Sequence, residues 1–301
     1  MEVKVENQPK STLKVTITVP NNKVKEIFEQ ILDGAVEEAT IEGFRKGKAP
    51  RDMVREKVGL SKLYGDVINK VLQTYYPQAL KEHHISPIAN PKVEIKEFDF
   101  DKDLQFTAFV ATRPEVKIGA YTKALKEYYA KRLSENKKLN EERIKKGEKL
   151  EELHTHLSSN EVIEILVNVS ELEVSDLLTE EETERMMTRL VDQAQTIGLS
   201  LDQYLKAQNK TSEQLRTDYA AMAEKNLKAE FILGKLIAER KIEVTDTEIE
   251  DMIKAAGIED AQKRMEDAVE KYYVKSILQK NKLLTSLIEE IEGENHHDHQ
   301  R

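Results

Sequence analysis

The spacing of the apolar residues changes along this chain, and that change limits the folds that the chain can adopt. Over residues 13–19 apolar and polar side chains alternate, which is the period of a half-buried strand. Over residues 24–39 the apolar side chains follow an i, i+3, i+4, i+7 spacing, which predicts an amphipathic helix. The helical spacing returns over 60–79 and the strand spacing over 93–110. The first third of the chain is therefore predicted to form an α+β domain, an antiparallel sheet with helices on one face.

After about residue 150 the apolar spacing is helical to the end of the chain, which predicts an all-α, multi-helix domain. Capping boxes mark several helix starts. In such a box the side chain of a Ser or Thr at the cap and that of a Glu or Gln three residues later each accept a hydrogen bond from the other residue's backbone amide. The candidate boxes are Thr179 with Glu182, Ser200 with Gln203, Thr211 with Gln214 and Thr245 with Glu248. The helices are expected near 150–169, 176–197, 200–208, 212–240, 246–256 and 260–292.

Proline and glycine divide the chain. Pro77 is expected to bend or end the second long helix near its last turn, and Pro114 and Gly119 mark an extended linker. Residues 122–149 are mostly Lys, Glu and Asn, which favours a charged helix or a helix pair with a break near Gly147. The predicted division is a first domain at 1–113, a linker and charged segment at 114–149, a helical domain at 150–292 and a disordered His-rich tail at 293–301.

The composition argues against several classes of function. The chain has a formal net charge of −9 and no Cys, so general nucleic-acid binding and thiol, disulfide or zinc–thiolate chemistry are not expected. It contains no nucleotide-binding or catalytic motif, and its His residues fit a solvated surface or the tail better than a metal site. It shows neither a signal peptide nor an apolar segment of membrane length. We therefore expect a cytoplasmic protein without membrane contact, catalytic residues, metal or cofactor.

A short basic loop stands out in the α+β domain. The segment from Gly43 to Pro50 reads GFRKGKAP, which places one large apolar residue among cations, and its two Gly and its Pro favour a turn. Residues 42–57 hold six Lys or Arg against three Asp or Glu, in a chain that is acidic as a whole. A loop of this composition can contact a phosphate-rich surface, and an ordinary solvated turn is the alternative that composition leaves open.

The GFRKGKAP segment resembles the ribosome-docking signature of trigger factor, the bacterial chaperone at the nascent-chain exit. The match includes its context, a long amphipathic helix before the loop and a short helix followed by a longer one after it. The resemblance implies that the loop contacts protein and ribosomal RNA of the large ribosomal subunit beside the tunnel exit. It implies docking roles for Phe44, Arg45 and Lys46, with Lys48 beside them, and turn-shaping roles for Gly43, Gly47 and Pro50.

The chain departs from the family pattern in two places. Most trigger factors continue from the first domain into a β-rich peptidyl-prolyl isomerase domain, whereas residues 122–152 are too few and too charged to form one. We therefore expect that domain to be absent. Residues 166–182 resemble the start of the first arm of the family's helical domain. The family often has Pro where this chain has Ser175, which leaves the exact helix start open.

The resemblance implies an ATP-independent chaperone that docks at the ribosomal exit site and shields unfolded nascent polypeptides. The alternatives are a peptidyl-prolyl isomerase-type folding factor and a chaperone or assembly factor that works without the ribosome. An empty apolar surface favours self-association, so a homodimer of the free form is a further hypothesis. Apolar and Met side chains of the helical domain suit client binding, although the same spacing fits a bundle core. The residues considered for client binding are Met186, Met187, Leu190, Tyr204, Tyr219, Met222, Phe231 and Ile232.

Overall fold

The computed structural model describes residues 1–95, 98–146, 156–255 and 265–293. Contacts divide the chain into two compact units, Met1–Pro114 with Glu173–Arg185 and Glu115–Leu172 with Met186–Arg301. No helix within the described ranges combines the length and the apolar character that crossing a membrane requires.

The first unit is built on a four-stranded antiparallel sheet in the order β1-β2-β4-β3. Its strands are β1 (Glu2–Gln8), β2 (Thr12–Val19), β3 (Lys92–Ile95) and β4 (Leu104–Ala111). In the register of the central strands, Val15 lies opposite Val5 of β1 and Ala108 of β4. The alternation that the sequence shows along β2 places Val15 and Ile17 in the core, with no exposed surface.

Two long helices pack on the inner face of this sheet. The helices of the first unit up to residue 114 are α1 (Asn21–Glu38), α2 (Arg51–Val58) and α3 (Leu60–Glu82). Phe28 of α1, Leu63 of α3 and Phe106 of β4 lie in one hydrophobic core, and each large side chain buried there stabilises the unit by roughly 1.5–3 kcal/mol. The predicted α+β class is therefore confirmed.

One of the two expected effects of Pro77 on α3, the end of the helix, is wrong. The helix continues past the proline to Glu82, so Pro77 does not end it. Ala79 and Leu80, which follow the proline, are both buried in the core of the unit. Their burial favours continuing the helix beyond a residue that has no amide hydrogen to donate.

The second unit is helical in its described part. Its helices are α4 (Tyr121–Lys146), α5 (Ser159–Val169), α7 (Leu201–Gln208), α8 (Ser212–Glu239), α9 (Asp246–Ala255) and α10 (Ala268–Glu292). α6 (Asp176–Thr196) begins in the first unit and continues into the second. The main core joins Leu125 of α4, Leu166 of α5, Ile232 of α8 and Leu287 of α10. The all-α prediction is confirmed, and the break expected near Gly147 lies outside the described residues.

Capping boxes start several of these helices, as the sequence predicts. The boxes of Ser200 and Thr211 are complete in both directions. Thr245 and Glu248 also exchange hydrogen bonds, and the ammonium of Lys282 lies 2.5 Å from the Glu248 carboxylate. The hydrogen bond from Lys282, followed by those from Thr245, lowers the pKa of Glu248 to about 2. A further box, in which Ser158 and Glu161 cap α5, was not predicted from the sequence.

The box proposed at Thr179 and Glu182 is wrong, because α6 begins at Asp176 and its cap lies four residues earlier, at Ser175. Ser175 is fully buried, and its hydroxyl accepts a hydrogen bond of 3.3 Å from the amide of Leu177. The same hydroxyl lies 2.9 Å from that of Thr12, at the start of β2. Thr179 then lies inside the helix and donates its hydroxyl hydrogen to the Ser175 carbonyl. Ser175 is thus itself the cap of the helix.

Candidate functional site

Two successive tight turns form the GFRKGKAP loop between α1 and α2. The amide of Phe44 donates to the carbonyl of Ile41 at 3.0 Å, and the amide of Lys48 donates to that of Arg45 at 2.9 Å. Gly43 and Gly47 occupy the third positions of these turns with φ of 85° and 77°. A type II turn requires a positive φ at this position, which Gly adopts without steric cost. Because the first turn ends at Phe44 and the second begins at Arg45, residues 44–46 lie at the tip of the loop.

The loop is fixed to its own unit at several points. The Gly47 amide donates to the carbonyl of Ala39 at 3.2 Å, and a Cβ at Gly47 would lie 3.1 Å from the backbone oxygen of Glu37. Ala49 is buried, and the exposed Pro50 directly precedes α2. Lys57 of α2 reaches back and donates to the carbonyl of Thr40 at 2.5 Å. The tip is therefore held on a frame of turns and helix ends.

The cations around the loop fall into two groups that the sequence does not separate. Arg51 is engaged inside the unit, where its guanidinium lies 2.7 Å from the carboxylates of both Glu29 and Asp33 of α1. Arg45, Lys46 and Lys48 are exposed, and within the described residues their side chains contact no ion-pair or hydrogen-bond partner. These three cations are the ones available to an external anion.

Phe44 lies beside the unpaired cations with 41% of its surface exposed. An exposed aromatic ring next to free cations can give apolar contact and attraction to phosphate at one point. The structure thus brings the seven residues proposed for docking into one loop. It exposes the Phe44 ring and three cations and uses the two Gly to shape the turns.

The residues considered for client binding are mostly packed inside the second unit. Leu190 and Ile232 are buried, in two different clusters. Met187, Tyr204 and Tyr219 pack around Leu190, Phe231 packs against the main core, and Met186 is half-buried. Burial raises the pKa of the Tyr219 phenol. Met222, with 51% of its surface exposed, is the member of the set that solvent reaches freely.

A more exposed apolar surface lies at the start of α10 and is not among the residues predicted from the sequence for client binding. Val269, Tyr272 and Tyr273 are 78%, 75% and 65% exposed. Their i, i+3, i+4 spacing places them side by side on one face of the helix, and we call them the α10 triad. The helical spacing of these three residues is visible in the sequence, but the spacing of apolar residues alone does not show whether a helix face is buried or exposed to solvent.

Within the described residues, no three His, Asp or Glu side chains lie close enough to hold a metal ion. The His-rich residues 296–299 lie outside the described ranges. The notable exposed groups are the cations and the ring of the loop in the first unit and, in the second unit, the apolar side chains of the α10 triad and Met222.

Comparison with protein families gives two matches that together span almost the whole chain. The description "Bacterial trigger factor protein (TF)" matches residues 1–147, and "Bacterial trigger factor protein (TF) C-terminus" matches residues 122–296. The two matches overlap across most of α4 and leave no room between them for a separate isomerase domain. The prediction that this domain is absent is confirmed.

Curated relatives match about two fifths of the chain. A trigger factor of Ruminiclostridium cellulolyticum is 39% identical over 121 residues, which are 40% of this chain and 28% of the relative. A trigger factor of Staphylococcus carnosus is 37% identical over 107 residues, which are 36% of this chain and 24% of the relative. The aligned stretch thus spans about a quarter of each of these relatives' length.

A solved structure resembles the chain over nearly its whole length. It is described as "Promiscuous Substrate Recognition in Folding and Assembly Activities of the Trigger Factor Chaperone". The superposition has a TM-score of 0.66 and covers 97% of this chain and 100% of that one, with 16% sequence identity. At that identity the likeness is one of fold.

Proposed function

The chain belongs to the bacterial trigger factor family, and from this premise we propose that it is an ATP-independent chaperone that docks on the large ribosomal subunit and shields nascent chains in the cytoplasm. One observation carries the proposal. Phe44, Arg45 and Lys46 are exposed and unengaged at the tip of a braced loop, whereas Arg51 close by is paired inside its own unit.

The chemistry of the tip suits the surface beside a ribosomal tunnel exit, where RNA and protein are both present. Arg45, Lys46 and Lys48 are free to pair with phosphates, and Phe44 supplies an apolar contact for a protein neighbour. Since the contacts with phosphate release counterions, binding should weaken as the salt concentration rises.

Shielding of unfolded chains fits the apolar surface of the second unit. The α10 triad, Met222 and Ile197 present large apolar side chains to solvent, and Ile197 is 72% exposed. Such a surface can bind unfolded segments of many sequences through apolar burial, at about 25 cal/mol per Å². The related solved structure is described for promiscuous substrate recognition, which agrees with this mode of binding.

The test is retention of the protein by purified ribosomes through a sucrose cushion. We expect F44A/R45A/K46A to abolish retention while leaving the circular dichroism spectrum unchanged. The matched control is I88A/K70A/K81A, which removes one exposed apolar side chain and two exposed cations elsewhere in the first unit. The control should be retained like the wild-type protein.

The outcomes separate the competing functions. Retention of the loop variant at the wild-type level would refute docking through this loop. A wild-type protein that prevents client aggregation but is never retained by ribosomes would support the ribosome-independent chaperone instead. Catalysis of proline-limited refolding at the rate of an ordinary isomerase would favour the folding-enzyme alternative, for which the chain has no separate domain.

A further inference from the structure

Helix α4, which occupies the place of the family's isomerase domain, is the most basic element of this acidic chain. Its 26 residues contain nine Lys or Arg and four Glu. Residues 147–155, which lie outside the described ranges, add one Lys and three Glu, so the whole segment from 121 to 155 stays positive. At 1.5 Å per residue the helix is about 39 Å long.

Only part of this positive charge is used inside the protein. Arg132 pairs with Glu161, donates to the carbonyl of His156 and lies over the ring of Tyr128. Within the helix, Lys123 lies 3.8 Å from Glu127 and Lys131 lies 3.9 Å from Glu135. These contacts leave a group of exposed lysines without a partner in the described part of the chain. They are Lys126, Lys137, Lys138, Lys145 and Lys146.

The burial pattern shows that these lysines do not serve the packing of the helix. Leu125, near the start of α4, is the residue of the helix that is fully buried. Cations in the last turn complement the negative end of the helix dipole, so Lys145 and Lys146 have a part in the helix itself as well as an exposed charge. That effect fades within one turn, so it does not account for Lys137 and Lys138.

We propose that the unpaired lysines of α4, from Lys137 to Lys146, form a contact surface for the phosphate backbone of RNA. The Lys ammonium is a compact point charge that binds phosphate, and such contacts do not require apolar side chains beside them. A protein partner would need an apolar anchor at the centre of the contact. Leu133, Leu139 and Ile144 are exposed. Leu133 and Ile144 share a side of the helix but are about three turns apart, and Leu139 is turned away from both, so α4 offers no contiguous apolar stripe.

This inference rests on the proposed function, since ribosome docking brings the chain beside ribosomal RNA. It adds a second RNA-binding element, separate from the loop, at the position where most of the family has its isomerase domain.

The experiment measures binding of the full chain to a fluorescently labelled, unstructured RNA 20-mer over a series of KCl concentrations. All proteins carry F44A/R45A/K46A, so that RNA bound by the loop is removed. The test variant is K137Q/K138Q/K145Q/K146Q, because Gln forms helix well. The control K81Q/K206Q/K241Q/K275Q loses four other exposed lysines and reaches the same net charge.

We expect the α4 variant to bind the RNA at least tenfold more weakly than its parent at low salt, while the control binds like the parent. Its plot of log K against log salt should be shallower by up to about 3, since each single-strand phosphate contact contributes about 0.7. Equal losses in the two variants, or no detectable RNA binding by the parent, would overturn the proposal.

Two further arms keep this proposal distinct from the others. A polyglutamate 20-mer that competes as well as RNA for the same lysines would mean that α4 binds acidic protein, and would overturn the choice of RNA. Ribosome retention of the loop variant would refute loop docking without altering the RNA result for α4. The two proposals can therefore fail separately.

Discussion

The two units bury their apolar residues in different ways. In the first unit β2, β4, α1 and α3 contribute to one continuous core. In the described part of the second unit the apolar residues form a main core and two small clusters, one around Leu190, Leu205 and Leu215 and one around Val244, Ile249 and Ile253. A single core suits a rigid frame for an exposed loop, whereas in the second unit Ile197, Met222 and the α10 triad remain exposed.

Helix α10 shows this difference within one element. Val269 and Leu287 are 18 residues apart, which is five turns of an α-helix, so they lie on the same face. Leu287 is 1% exposed in the main core and Val269 is 78% exposed. One apolar stripe therefore serves as core at the end of the helix and as open surface at its start.

The sharpest test of the comparison is a pair of identical substitutions, Leu63→Ala and Leu205→Ala. Leu63 is completely buried in the single core of the first unit, and Leu205 belongs to a small cluster of the second. We expect Leu63→Ala to lower the free energy of unfolding by about 3 kcal/mol, because it leaves a cavity in a large core. Leu205→Ala should cost less, since its surroundings can collapse into the gap.

Hydrogen exchange measured by mass spectrometry distinguishes the two cases. Leu63→Ala should speed exchange across β2, α1, α3 and β4 together, whereas Leu205→Ala should act on residues 187–219 alone. Faster exchange at Leu283 and Leu287 in the Leu205 variant would contradict the distinction between the small cluster and the main core, because the two would then unfold together.

The sequence predicted what depends on local pattern and missed what depends on distant contacts. Strand and helix periods, with caps such as Ser200 and Thr211, predicted the fold class and most helix bounds, because each signal lies within a few residues. The start of α6 near residue 176 was predicted, whereas its cap was not, since Ser175 is positioned by Thr12, far away in the chain. A count of charges along the loop also does not predict that Arg51 pairs with two carboxylates of α1.

The second prediction concerns the open end of the α10 stripe. V269S/Y272S/Y273S should weaken binding of a labelled unfolded peptide by about 2 kcal/mol, or roughly 30-fold, because three large side chains no longer contribute apolar burial. The matched control L133S/L139S/I144S removes three exposed apolar side chains of α4 that form no contiguous face, because Leu133 and Ile144 are about three turns apart and Leu139 is turned away from both. It should bind the peptide nearly as well as the wild-type protein.

Both variants are compared by fluorescence titration and by suppression of client aggregation, with circular dichroism as a check on folding. Equal losses in the two would mean that total exposed apolar area, and not a contiguous face, holds the client. In that event the open stripe of α10 has no special part in client binding.

The smallest effects are expected in the frame of the loop, where Gly43→Ala and Gly47→Ala separate strain from contact. Both positions have a positive φ, which costs a residue with a Cβ roughly 1–2 kcal/mol. A Cβ at position 43 meets nothing within 4 Å, whereas one at position 47 would approach the Glu37 oxygen to 3.1 Å. Gly47→Ala should therefore destabilise the first unit by about 1 kcal/mol more in urea unfolding and also weaken ribosome retention, because the tip must move away from α1. Equal effects of the two substitutions on both measurements would show that the contact with α1 does not fix the loop.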